Sequence, residues 1–339
     1  MSPEETLKSY SKDFQSYSDI AKELIDSELR TLLPAMAELK LQKQIEYALQ
    51  TKGKRLRPTL VLLSGESVGG KRKDLRNLAL AIELLHLASL VHDDILDEDL
   101  FRRNTLSVYA KWSVKDAILV GDLLASLSLS LCKGYKREIL NAMIDTCMQL
   151  SDGEYSDIKL NGAELKEKAY IEKIGKKCAS LFSAACECGA LAADGSPGEI
   201  KALKLYGKNY GLAYQIRDDI SDAQISASDL QPVANKFRAT LPIIHAYESA
   251  TSEKRARLRR LLSEKTQDNL RAFLDETRVY FENGSLSYCA NKVNDYVERA
   301  VASLAQLKDG IFKNHLIEMA EFLRVRDLRI DPEKVICET

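Results

Sequence analysis

Apolar positions recur at a three-to-four spacing through Leu60 to Ser67, Leu75 to Leu96, Val114 to Leu131, Ile139 to Leu160 and Tyr170 to Ala193. That period belongs to helices with broad buried faces, and no run of period-two alternation marks a strand. The prolines are Pro3, Pro34, Pro58, Pro197, Pro232, Pro242 and Pro332, so long helices can run uninterrupted between 59 and 196. Gly69-Gly70 and Gly195-Ser196-Pro197-Gly198 read as breaks between helices. Neither break shifts the composition, so the pattern predicts one all-α domain, its core running from about residue 5 to 330 of 1–339. Ala223 to Arg238 mixes Ser, Asp, Gln, Pro and Asn and predicts a loop, a candidate for a lid. The tail after Arg324 is charged and is expected to pack less tightly.

Two of the apolar stretches, Leu75 to Leu96 and Ala117 to Cys132, are interrupted by Glu83, His86 and Asp122. They read as buried helices, and no transmembrane segment is expected. Lys plus Arg number 49 against 50 Asp plus Glu, a net charge of -1. This balance argues against nucleic acid or an anionic membrane as the main partner, and any cationic site must be local. The seven cysteines lack a paired metal-knuckle spacing, and Cys186-x-Cys188 is too close for a zinc hook. Reduced core thiols in a cytoplasmic protein are expected. The start Met1-Ser2-Pro3-Glu4-Glu5 has neither the basic region nor the apolar core of a secretion signal, so export is not expected.

The chemistry concentrates in two acidic clusters, Asp93-Asp94-Ile95-Leu96-Asp97 and Asp218-Asp219-Ile220-Ser221-Asp222. Residues at i and i+4 share a helix face, so Asp93 with Asp97 and Asp218 with Asp222 form two-carboxylate rungs. Each like-charge pair costs about 0.2 to 0.5 kcal/mol, which asks for a compensating cation. Magnesium fits, since it uses one or two carboxylates together with substrate phosphates. Asp94 and Asp219 lie about 100° round the helix, placed for waters or neighbouring cations. One such cluster is as readily a solvated acidic face; two of identical spacing are not. Upstream, Gly53-Lys54-Arg55-Leu56-Arg57-Pro58 puts cations at a helix start, and Arg102-Arg103 adds two guanidinium groups suited to phosphate.

Jointly these residues resemble the trans-isoprenyl diphosphate synthases, the polyprenyl synthetase family, over Gly53 to about Pro242. The resemblance is carried by Gly53 to Pro58, by His86 seven residues before the first Asp, and by Asp93 to Arg103. It continues through Gly121-Asp122, Gly153 to Asp157, Lys177, and Gly211-x-x-x-Gln215-x-x-Asp218-Asp219-x-x-Asp222. It implies a single large helical bundle with the active-site cavity between central helices, working as a cytoplasmic homodimer. It implies a reaction in which an allylic diphosphate ionises, isopentenyl diphosphate attacks the carbocation, and a proton is lost to the released diphosphate.

Three magnesium ions per active site are implied, held among Asp93, Asp94, Asp97, Asp218, Asp219 and Asp222. Asp93, Asp97, Lys177 and Asp218 would be the catalytic residues. Arg102, Lys177 and Gln215 would grip the allylic diphosphate, with either Lys236 or Arg238 above it. Lys54, Arg57, His86 and Arg103 would hold isopentenyl diphosphate without metal. His86 shares nearly the face of Asp93, which favours a ligand contact over a core histidine; His92 points elsewhere and reads as structural. The chain departs from the family pattern at Asn104 (usually Gly), at Cys178 (usually Thr) and in Asn235 to Pro242, where the family has Gly-Lys-x-Thr-Leu-Pro.

Product length follows from helix rise. Four residues span about 6 Å, close to one isoprene unit, so residues before Asp93 act as successive floors. Short-chain family members carry bulky aromatics four and five positions before the first Asp, where this chain has Ser89 and Ala88. The tail can then pass to Leu85 and Ile82, giving a product of about C20 to C30, with about C25 the central value. A class I terpene cyclase is the nearest enzymatic rival, but it would not need the second, metal-independent phosphate site. A non-catalytic regulatory subunit could lose an acidic cluster, and both are intact here.

Overall fold

A computed structural model describes residues 13–36, 38–51, 53–159, 165–225, 239–263 and 266–326. In chain order the helices begin with α1 (Phe14–Leu32), α2 (Gln42–Leu49), α3 (Leu56–Ser67) and α4 (Arg72–Leu96). A two-residue hairpin, β1 (Phe101–Arg102) and β2 (Thr105–Leu106), precedes α5 (Val108–Lys111), α6 (Val114–Leu131) and α7 (Arg137–Lys159). There follow α8 (Glu167–Ile174), α9 (Ser180–Ala192), α10 (Pro197–Ile225) and α11 (Leu241–Ser249). The last are α12 (Ser252–Ser263), α13 (Gln267–Tyr280), α14 (Leu286–Ser303) and α15 (Ile311–Glu321). The all-α expectation holds; Gly69-Gly70 falls between α3 and α4, and of the second break Gly195-Ser196 precedes α10 while Pro197-Gly198 open it.

Local chemistry sets several of these boundaries. Asp13 caps α1 by accepting from the Ser16 N–H at 2.8 Å, and Ser113 caps α6 by accepting from the Asp116 N–H at 3.1 Å. Pro197, with its φ preset and no amide to lose, opens α10.

The described residues group into two compact units. The first comprises those up to Met148, with Leu181–Gly207 and Val301–Met319. Its centre is α4, which packs along α6 and α3 and buries Leu75, Leu78, Ile82, Leu85 and Ala88. The Ser128 hydroxyl of α6 donates to the Ala81 carbonyl of α4 at 2.6 Å, satisfying a buried polar group between them. Glu83, which interrupts the apolar run of α4, is buried and paired with Arg55 at 2.5 Å. Arg55 also reaches Asp26 at 2.8 Å and the Thr51 carbonyl at 3.0 Å. Removing Arg55 would strand the buried Glu83 charge at a cost of about 3 to 5 kcal/mol, whereas Arg55 without Glu83 would keep Asp26.

The second unit comprises the described residues within Gln149–Ser180 and Lys208–Ala300 and those from Ala320 onward. Its core includes Tyr170, Ile216, Leu258, Phe273, Val293 and Val297.

Four local expectations change. The stretch Tyr170 to Ala193 is not one α-helix, because a π turn at Gly175–Ala179 separates α8 from α9. Ala223 to Ile225 continue α10 rather than opening a loop. A small hairpin occurs where no strand pattern is visible, its register set by Phe101 opposite Leu106 and Arg102 opposite Thr105. Finally, α6 is not a buried helix: Val114, Ile118 and Leu119 are exposed. By length and composition alone the stretch Val114–Gly134 could cross a membrane, and 33% of its most apolar window is buried.

Candidate active site

In the first unit, α4 delivers the first acidic motif at its C-terminal end. Asp97 caps the helix, and its N–H donates to the Asp93 carbonyl at 2.8 Å. Both carboxylates therefore sit at the negative end of the helix dipole, where anions are disfavoured and a cation is stabilised. Asp93 and Asp97 are partly exposed, whereas Asp94 faces inward and is buried. Arg102 takes up Asp94, its Nε at 2.8 Å and its Nη2 closer still, with Asp99 at 4.0 Å. Burial raises the Asp94 carboxyl above its usual range, against the pull of Arg102.

Two turns before Asp93 stands His86, half-buried, whose Nε2 lies 3.1 Å from Arg57 Nη1. A guanidinium can only donate, so Nε2 accepts and the imidazole proton is on Nδ1. Burial, then the charges of Arg57, Arg103 and Arg102, push the His86 pKa well below its ordinary value. The ring is neutral at physiological pH. Arg57 is fixed from its other side by the Phe182 ring, 4.2 Å from the guanidinium carbon.

Arg103 and Asn104 are the two residues of the hairpin turn, both in the left-handed region at φ 49° and 61°. A two-residue turn with both φ positive is the form that suits strand twist, and Asn tolerates that region better than most residues with a side chain. Asn104 therefore replaces the family's Gly at modest cost. The strained Arg103 lies against the chain at Gly53, where an added Cβ would come within 2.6 Å of its Nη1. Gly53 thus makes room for the guanidinium next to Lys54, which is exposed. Arg55, between Lys54 and Arg57 in sequence, instead points into the core.

His92 stands apart from this group, with Nε2 3.2 Å from the Ile118 carbonyl and 3.7 Å from Asp122. Along α4, Ile82, Leu85 and Ala88 are buried, and the half-buried Ser89 donates to the His86 carbonyl at 2.8 Å.

In the second unit, α10 carries the second motif in its last two turns. Asp218 and Asp222 are exposed, and Asp219 is buried. Asp219 accepts from Tyr170 Oη at 2.6 Å, Gln215 Nε2 at 3.0 Å and the Leu241 N–H at 3.4 Å. Burial raises its pKa against those three donors and the nearby Lys173 charge. Gln215, expected on the allylic diphosphate, is here engaged with Asp219.

Lys177 projects from the π turn between Glu154 and Asp157 of α7, at 2.8 and 2.7 Å. Such single-turn π segments recur at functional sites because they displace one side chain from the helical register. The neighbouring backbone is close: a Cβ on Gly153 would stand 2.4 Å from the Lys177 nitrogen. That approach is a physical reason for glycine in the Gly-Glu-x-x-Asp motif. Cys178, after Lys177, is buried with its Sγ 3.9 Å from the Gly211 carbonyl. Lys236 and Arg238 lie outside the described residues.

Lys173 was not identified from the sequence. It is buried, with Nζ 2.7 Å from Asp157 and 3.4 Å from the Ala239 carbonyl. Its only signal is position, three residues after buried Tyr170 and four before Lys177. Burial alone would push the Asp157 carboxyl up, but Lys173 and Lys177 together hold it at about 2.

Among the described residues no three His, Cys, Asp or Glu side chains converge into a metal cage. Magnesium does not need one, since it usually takes one or two carboxylates and completes its octahedron with water and phosphate oxygens. Two carboxylates at a helix C-terminus, once in each unit, have the donor chemistry that such an ion requires.

The chain matches the model of a known family, described as polyprenyl synthetase, over residues 38–276. It is 32% identical to a short chain isoprenyl diphosphate synthase of Methanothermobacter thermautotrophicus, covering 92% of this chain and 97% of that one. It is 30% identical to an octaprenyl diphosphate synthase of Haemophilus influenzae, covering 81% and 84%. The geranylgeranyl pyrophosphate synthetase of Pyrococcus horikoshii superposes with a TM-score of 0.79 at 29% identity, covering 93% of this chain and 98% of that one.

Proposed function

Because this chain belongs to the polyprenyl synthetase family, we propose that it extends an allylic diphosphate with isopentenyl diphosphate in the trans configuration. The observation that carries this reading is the grouping on one unit of Arg57, neutral His86 and Arg103, two turns before the Asp93–Asp97 rung. A cluster of cations beside a neutral imidazole is what a second diphosphate needs, and a cyclase would have no use for it.

The residues divide the work by charge. Arg57 and Arg103, with Lys54 exposed beside them, neutralise isopentenyl diphosphate without metal, and His86 offers its Nδ1–H as a donor. Asp93 with Asp97 in the first unit, and Asp218 with Asp222 in the second, would each hold Mg²⁺, which would supply Lewis-acid stabilisation of the departing diphosphate's charge. In the second unit Lys177 would offer a point charge to a diphosphate, with Gln215 once released from Asp219; in the first, Arg102 would do so once released from Asp94. The C–O bond of the allylic diphosphate breaks, and the isopentenyl double bond attacks the cation. The proton lost passes to the freed diphosphate, so no side-chain base is needed.

The relatives' names span short-chain, geranylgeranyl and octaprenyl products, so length must be read from this chain's own residues. Ala88 and Ser89 leave the first floor of α4 low, and Leu85 and Ile82 lie one and two turns further, which supports about C20 to C30. Ala88→Phe and Ser89→Tyr should shorten the product. A homodimer is proposed on the apolar exposed positions Val114, Ile118 and Leu119 of α6, which a second copy would cover.

The test is incubation of purified protein with isopentenyl diphosphate, Mg²⁺ and allylic primers of several lengths, with products sized by mass spectrometry and Asp93→Ala as control. Elongation by the wild type alone is expected. No elongation with any primer would overturn the reading.

A further inference from the structure

Lys177 is the residue expected to meet the allylic diphosphate, yet its ammonium is clasped by two carboxylates one helical turn apart on α7, Glu154 and Asp157. Asp157 divides its oxygens, with Oδ1 on Lys173 at 2.7 Å and Oδ2 on Lys177 at 2.7 Å. Lys173 is the more enclosed of the two lysines, with 7% of its side chain exposed against 21% for Lys177. It is anchored twice, by Asp157 and by the Ala239 carbonyl at the start of α11. The remaining lysine of the π turn, Lys176, faces outward to Asp152 and Glu172 at 2.8 and 3.2 Å and takes no part.

The charges of this cluster are arranged unequally. Lys173 and Asp157 form a buried pair that balances itself. Lys177 shares Asp157 with Lys173, and Glu154 brings a second carboxylate to it at 2.8 Å. Without the Lys173 charge, Asp157 could turn both oxygens to Lys177, and two carboxylates would then oppose one ammonium. An arriving diphosphate would have to displace both while meeting a net negative charge.

We propose that Lys173 is a positioning residue for the allylic substrate: by sharing the Asp157 charge it lowers the negative charge around Lys177 that an arriving diphosphate must overcome, so that Lys177 can be exchanged from Glu154 onto the diphosphate. The inference rests on the function proposed above and deepens it. Asp157 is the permanent half of the clasp and Glu154 the half that the substrate displaces.

The test compares Lys173→Met, Lys173→Arg and Glu154→Gln by steady-state kinetics and by calorimetric titration of inorganic diphosphate in the presence of Mg²⁺. For Lys173→Met the KM for the allylic diphosphate should rise about tenfold or more, with the KM for isopentenyl diphosphate within about twofold. Lys173→Arg, which keeps the charge, should recover most of the loss. Glu154→Gln should tighten inorganic diphosphate binding by about threefold, since Lys177 then has one carboxylate fewer to leave. A merely structural lysine would lower the melting temperature and the active fraction without moving one KM selectively.

Equal shifts for both substrates, no recovery with arginine, or weaker diphosphate binding in Glu154→Gln would each overturn the proposal. Should Lys173→Met fail to fold, Glu154→Gln still decides. If the wild type binds diphosphate but elongates nothing, the proposed function fails while the calorimetric comparison of variants remains a test of the clasp.

Discussion

The two acidic motifs share one pattern, and in both the second Asp turns inward, but its charge is met by different chemistry. Asp94 is taken by a guanidinium, whereas Asp219 is hydrogen-bonded by a phenol, a carboxamide and a backbone amide, none of them charged, with the Lys173 charge acting from further off. Asp94 is thus offset by a directly bonded cation, whereas the cation nearest in effect to Asp219, Lys173, acts on it only through space. A single cation holds Asp94, so its loss leaves a bare buried charge; three neutral donors share Asp219, so the loss of one is partly absorbed. The outer carboxylates show the opposite likeness, since Asp93 with Asp97 and Asp218 with Asp222 both occupy helix C-terminal ends with some exposure.

The strongest challenge to that comparison is to remove the rungs. Asp93→Ala with Asp97→Ala, and separately Asp218→Ala with Asp222→Ala, should each lower kcat by about a thousandfold or more, the scale of a lost electrostatic stabiliser. A rung whose loss costs less than about tenfold in the same assay does not serve the ionisation.

The inward pair comes next. Arg102→Met should cost about 3 kcal/mol in urea unfolding. Tyr170→Phe should cost about 1 to 2 kcal/mol, because two donors to Asp219 remain. If Tyr170→Phe proves the more damaging, the contrast between charged and neutral satisfaction is wrong.

Acid stability sharpens the electrostatics of the second unit. The Asp157 carboxyl is depressed, from an unfolded value near 3.8 to about 2, so the stability it contributes is present above about 4 and lost as the pH falls through 2. Urea titrations should show about 2 kcal/mol of this loss in the wild type. In Asp157→Asn the loss should be absent, with a lower plateau at neutral pH.

The smallest effect is expected at the hairpin. Asn104→Ala, in the left-handed region, should destabilise by about 1 kcal/mol, while Asn104→Gly should be close to neutral. Equal costs for the two would mean that the turn relaxes.

Much of this architecture is legible in the chain because helical periodicity is local. The three-to-four spacing of apolar residues needs only neighbours one turn away, which is why α3, α4 and α7 fall where the pattern places them. The rungs are legible for the same reason, since i and i+4 share a face on any helix. What escaped depends on partners distant in sequence. The π turn at Gly175–Ala179 has no period of its own, and the hairpin strands are too short to alternate. The exposed apolar side of α6 looks, residue by residue, like any buried helix, because composition records hydrophobicity and not what covers it.

By itself the sequence determined the helices, the paired carboxylates and the family, since each is written in spacings of one or two turns or in a long run of matched motifs. Only the tertiary structure decided which charges point outward to chemistry and which are spent within the protein. Arg55 goes to Glu83, Asp94 to Arg102, Asp219 to neutral donors, and Lys173 to Asp157. The physical reason is that burying a charge is costly unless a partner meets it, and apart from Gln215, one turn from Asp219, those partners come from residues 8 to 49 positions away.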